Sequence, residues 1–189
     1  LFLFWLHADL LWPNGLYSQI LTVLFYGTTL SGILGLVLEK IYPKLLTRVD
    51  LECIYERIPR DLGEIRREAE KVILECTEKT GSDTLAQHYY ETLGWFFRRP
   101  RFIINNIFGG QNAQTWIIRK CSVLERFLND AERGYLDQIY VLAETKMKID
   151  FHYALQTMLK KWLLVHVPFA AAVMVMMIWH LIVIQVFFI

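Results

Sequence analysis

WLLVHVPFAAAVMVMMIWHLIVIQVFFI, residues 162–189, closes the chain without one Lys, Arg, Asp or Glu. A helix rises ~1.5 Å per residue, so about 20 apolar residues cross a ~30 Å hydrocarbon core. This run has 28, enough to span with some tilt and more than the core helix of a soluble domain needs. Two histidines interrupt it, His166 and His180, fourteen residues apart. At ~100° per residue, fourteen steps return to within about 40° of the start, ~21 Å further along the axis. Both imidazoles therefore fall on one side of the helix, one near each leaflet.

Working outward, Leu16 to Leu38 is uncharged for 23 residues and reads as a second span. Leu1 to Leu6 is apolar but too short to cross, and reads as the end of a further membrane helix that begins outside this sequence, not as a signal peptide. Trp12-Pro13-Asn14-Gly15 is the turn between them. The chain is 54% hydrophobic, with the apolar residues concentrated at its two ends. All 20 Lys and Arg lie between Lys40 and Lys161, and net charge is only +1. Lys40, Lys44 and Arg48 follow one span while Lys146, Lys148, Lys160 and Lys161 precede the next, so the positive-inside rule places the centre in the cytoplasm and the turn outside. No block is basic enough to point to nucleic acid.

The centre reads as helical. Pro59 suits a first turn, and Asp61 to Lys79 carries Leu62, Ile65, Ala69, Val72, Ile73 and Cys76 on one face before Gly81 ends it. Ser82 is expected to cap a helix through Arg98 that stops before Pro100. Asn105 to Gln111 reads as a loop, followed by amphipathic helices over Ala113 to Leu128 and Ala131 to Lys148, with the last membrane helix following directly after Asp150 or its neighbours. The expected fold is all-α: a membrane part over residues 1–38, a cytoplasmic helical domain over 39–160 and a C-terminal transmembrane helix over 161–189.

Several chemistries lack their residues. Cys53, Cys76 and Cys121 form no CxxC, CxxCH or iron–sulfur spacing, and read as thiols of a reducing compartment. There is no Gly-rich phosphate loop, no HExxH and no G-x-S-x-G. Redox chemistry, if present, belongs to the membrane histidines, because imidazole is costly in lipid without a partner and is the usual axial ligand of a b-type haem. His7, at the end of the N-terminal apolar stretch, lies at about the depth of His180 and pairs with it in this scheme. His152 extends the fourteen-residue series but sits among charged residues, and His88 is a lone His of an amphipathic helix. Gly27, Ser31 and Gly35, with Gly32, form a small-residue stripe suited to close helix packing, and a flat porphyrin could use the same gap. Met174 is a remote ligand candidate.

The His-x13-His spacing of His166 and His180 resembles that of dihaem membrane cytochromes b. Phe151-His152-Tyr153-Ala154-Leu155-Gln156, Lys161-Trp162-Leu163, His166-Val167-Pro168, Asn14-Gly15, Ser31-Gly32-Ile33-Leu34-Gly35-Leu36 and Pro43 resemble a group of largely uncharacterised bacterial cytochrome-b-like membrane proteins with a soluble helical insertion. The resemblance implies a bacterial inner-membrane location and a four-helix haem-binding bundle. It implies His7, His166 and His180 as axial ligands of haem b, two haems in number. It also implies a role as the electron-transfer subunit of a membrane oxidoreductase complex, with quinone or quinol and other membrane or redox subunits as partners. Only His7 of the two histidines expected on the first helix is present, and the long insertion departs from the respiratory cytochrome b. The rival readings are a haem-free structural or assembly subunit and a sensor that uses its membrane histidines as a switch.

Overall fold

The computed structural model describes residues 12–46, 51, 53–107 and 110–187. Every regular element among them is helical. Helix α1 runs Leu16–Leu46, a 3₁₀ turn spans Tyr55–Arg57, and α2 runs Ile58–Thr80. Helix α3 (Thr84–His88), a π-helical turn (Tyr89–Leu93) and α4 (Gly94–Arg98) follow one another, then come α5 (Ile103–Ile107), α6 (Asn112–Glu125) and α7 (Asp130–Phe187). The chain divides into two compact units: residues 12–43 with 159–187, and residues 44–158.

In the 44–158 unit, α2 buries Ile58, Leu62, Ile65, Ala69, Ile73 and Cys76, spaced three and four apart as one helical face requires. The opposite face carries the exposed pairs Arg60–Glu64, Arg66–Glu70 and Lys71–Glu75. Pro59 lies in the first turn, and Gly81 closes the helix at φ 69°, its N–H donating to the Thr77 carbonyl at 3.0 Å. The expected Ser82 cap is displaced by one residue. Asp83 holds the cap position, and the Ser82 hydroxyl accepts the Thr84 N–H at 3.4 Å.

Leu85, Tyr89, Leu93, Phe96 and Phe97 carry the core across the π turn to Ile117, Cys121 and Leu124 of α6 and to Leu136, Ile139 and Ala143 of α7. Within the π turn the Gly94 N–H reaches back to the Tyr89 carbonyl, and a Cβ at Gly94 would lie 3.1 Å from that oxygen. Glycine permits the approach. Arg99 is extended ahead of Pro100 and ends α4. The expected Asn105–Gln111 loop is partly replaced by α5, with the Gly110 N–H donating to the Asn105 carbonyl at 2.9 Å.

Helix α7 begins with a reach-back cap, the Asn129 N–H donating to Glu132 Oε2 at 2.8 Å. It then continues for 58 residues, so the amphipathic segment and the C-terminal span are one helix. In the unit of residues 12–43 and 159–187, α1 and the end of α7 are the structured elements, each long and apolar enough to cross a membrane. Of their most apolar 18 residues, 11% in α1 and 6% in α7 are buried, so the described residues leave most of their apolar surface uncovered.

Candidate functional site

His166 and His180 both face α1. Tyr17 stacks on the His180 ring, with centroids 6.0 Å apart and planes at 21°. Ser31 Oγ lies 2.7 Å from His166 Nδ1. At Gly35, a Cβ would run into the Trp162 indole, and at Gly27 it would lie 3.1 Å from the Phe169 ring. Contacts that move backward along α1 move forward along α7, so the two segments pack antiparallel. The small-residue stripe of α1 receives the rings of Trp162, His166 and Phe169, the packing use of that stripe. Besides the Ser31–His166 contact, two further bonds tie the helices: the Trp162 indole N–H donates to the Ser31 carbonyl at 2.9 Å, and the Tyr17 hydroxyl donates to the Met176 carbonyl at 2.8 Å.

Ser31 sets the chemistry of His166. Its hydroxyl donates to the Thr28 carbonyl one turn back, at 3.0 Å. A hydroxyl has one proton, so while that proton is given to Thr28 the oxygen can only accept from His166, through Nδ1–H. When Ser31 gives its proton to Thr28 in this way, the imidazole is the tautomer whose Nε2 carries the lone pair. Trp162 stacks on the same ring, with centroids 5.1 Å apart and planes at 17°, and fixes its orientation. A neutral imidazole held at Nδ1 by an oxygen acceptor, with Nε2 unprotonated, is the form in which histidine ligates a metal. Neither Ser31 nor Trp162 was legible as a positioning residue. Ser31 reads as a small residue of the stripe, and only its i−3 relation to Thr28 hints at more.

His7 lies outside the described residues. His152 and His88 belong to the 44–158 unit, apart from the His166–His180 helix face. Burial drives both toward the neutral form, and Lys120 adds to the effect at His88. Met174 is 64% exposed, on the surface that α1 leaves open. Among the described residues no three His, Cys, Asp or Glu gather to hold an ion by side chains alone. The cysteines stay thiols at neutral pH, because burial raises all three and brings Cys121 to about 11.

A second cluster lies in the 44–158 unit and corrects one expectation. Lys146 is not a membrane-flanking cation: it is fully buried and paired with Asp150, which is equally buried. The ammonium also donates to the Arg99 carbonyl at 2.9 Å and sits 4.0 Å from the Phe96 ring centroid. Asp150 accepts the Arg101 N–H at 3.1 Å, so the pair clamps the Arg99-Pro100-Arg101 segment onto α7. Burial raises the Asp150 carboxyl to about 6 although Lys146 pulls it down, and burial lowers Lys146. The signal was the spacing. Buried positions 132, 136, 139, 143, 146 and 150 alternate by four and three, so both charges stand on the core stripe.

Compared with known proteins, the chain matches no family model, no curated protein and no solved structure.

Proposed function

We propose that this chain is a membrane subunit of b-type cytochrome character, with His166 as an axial ligand and His180 as the second ligand position on the same helix. The observation that supports it best is the relay from His166 Nδ1–H to Ser31 Oγ and on to the Thr28 carbonyl, which leaves Nε2 as a lone-pair donor. Haem b, when bound, supplies reversible one-electron transfer. The protein's own part is to orient the imidazole through Ser31, fix its plane with Trp162 and exclude water with apolar helix surface. The ~21 Å between the two histidines along the helix suits two groups placed one above the other across a bilayer. On this reading electrons pass between a quinone or quinol and a partner redox protein, and the 44–158 unit lies in the cytoplasm and docks that partner.

The second reading is a haem-free structural or assembly subunit. The filled stripe favours it, since Trp162 against Gly35 and Phe169 against Gly27 are what a helix-pairing surface needs. One experiment separates the two. Haem should be counted in the purified full chain by a reduced-minus-oxidised spectrum, alongside His166→Leu and the exposed-site control Met177→Leu. The cytochrome reading expects haem in the parent and the control, and loss of one haem from His166→Leu while the chain still inserts. No haem in the parent, or an unchanged count in His166→Leu, leaves the structural subunit.

A further inference from the structure

We propose that the cavity bounded by His88, Trp116, Arg119, Lys120 and Val123 binds a small aromatic phosphate, with its ring against Trp116 and its phosphate among the three basic side chains. The cavity has about 540 Å³, within the range of small-molecule sites. Its two sides differ in chemistry. Trp116 offers an indole packed against Trp95 at 5.5 Å, Phe96 at 5.7 Å and Phe102 at 6.3 Å, so its position is fixed before any ligand arrives. Arg119 and Lys120 bring two permanent positive charges, and His88 brings a third group that can become one.

Two observations mark His88 as more than a surface residue. Its Nε2 is buried and has no hydrogen-bond partner among the described residues, an unsatisfied polar group beside the cavity that a small turn of the ring would bring to an acceptor. It also immediately precedes the π turn Tyr89–Leu93, a local departure from the α-helix of the kind found at functional sites. The charged groups facing His88 are Lys120, which disfavours its protonated form, and Glu91, which favours it and is itself bonded by Gln87 at 3.0 Å. A phosphate dianion between His88 and Lys120 cancels the repulsion, so protonated His88 becomes compatible with its neighbour. Two cations plus a chargeable imidazole match a dianion better than a monoanionic carboxylate.

The test uses the full chain in detergent micelles, with phenyl phosphate as the probe and inorganic phosphate as the comparison, followed by calorimetry and by NMR titration of His88. The expected result is one-to-one binding of phenyl phosphate, tighter than inorganic phosphate, with the pKa of His88 raised when the probe is bound. Lys120→Ala and Arg119→Ala, at partly exposed positions, should each weaken binding about tenfold or more. Lys120→Ala should also raise the pKa of His88 in the free protein. Absence of saturable binding, variants that bind the probe as tightly as the parent, or a His88 titration indifferent to the probe overturns the site. Equal binding of the two phosphates overturns the role of Trp116.

Discussion

The two ends of α7 are one helix under two regimes. Between Glu132 and Asp150 the buried residues form a narrow stripe, and the other faces are polar or mixed. Beyond Trp162 the helix is apolar on every side, with Leu164 75%, Val175 67% and Leu181 61% exposed. In the first part the protein itself removes apolar surface from water. In the second the described residues do not, which is the pattern of a helix long and apolar enough to cross a membrane. The contrast extends to polar groups. The first part buries a full ion pair, Lys146 with Asp150, whereas the second has no Lys, Arg, Asp or Glu and carries His166 against Ser31 and His180 against Tyr17.

The largest effect is expected in the first part. Lys146→Met leaves the Asp150 charge buried alone and should cost about 3–5 kcal/mol in urea unfolding, while Lys146→Met with Asp150→Leu should recover most of that loss. The sign of its pH dependence follows from Asp150. Burial holds the carboxyl at about 6 even beside the ammonium, and without that pull it rises further. A carboxyl whose folded pKa exceeds its unfolded value contributes stability at low pH that is lost as pH rises through the folded value. Lys146→Met should therefore be closest to the parent at acid pH and furthest from it in the alkaline range. A penalty independent of pH would mean that Asp150 is not the uncompensated charge.

One substitution made in both parts tests the contrast itself. Val141 is 59% exposed and Val175 67% exposed, so in water a lysine at either would be tolerated alike. If lipid surrounds the second part, Val175→Lys should cost about 2.5–3.5 kcal/mol of insertion, and Val141→Lys within about 0.5 kcal/mol of nothing in stability. Equal, small effects on membrane partition and on melting would remove the membrane reading of α7.

Legibility followed the same division. Uncharged length alone located both apolar helices, because charge is the most expensive thing a span can carry. Helix α2 was readable from its three-and-four spacing between Pro59 and Gly81. The continuity of α7 was legible from Asp150 onward, where the amphipathic segment leads directly into the last apolar run. Asp150, Lys160 and Lys161 look like a boundary, yet no Gly or Pro lies between Gly134 and Pro168 to break the helix. Lys146 was misplaced because a lysine reads as surface until its carboxylate is found one turn on and its carbonyl acceptor in a segment 47 residues away. The π turn has no compositional mark beyond Gly94, and the Ser31 relay depends on a partner 135 residues distant.

Within the apolar part, Ser31→Ala removes the acceptor of His166 Nδ1–H but adds no bulk to the stripe. On the cytochrome reading, loss of the group bonded to a ligating imidazole weakens metal affinity about 10–100-fold, so haem should dissociate faster than from the parent, with the helices still paired. A haem affinity equal to the parent's would show that Ser31 serves packing alone.

The smallest effect belongs to Tyr17, at the other end of the same face. Tyr17→Phe removes the bond to the Met176 carbonyl and keeps the ring that stacks on His180. Hydrogen bonds between membrane helices average about 0.6 kcal/mol, because the separated helices satisfy such groups elsewhere. The carbonyl of Met176 also lies in the backbone ladder of α7, so it is not orphaned by the change. Steric trapping of the α1–α7 pair in bilayers should therefore find Tyr17→Phe within about 1 kcal/mol of the parent, and Tyr17→Ala, which loses the ring as well, distinctly weaker. If the two variants weaken the pair equally, the hydroxyl and not the stacked ring holds α1 against His180.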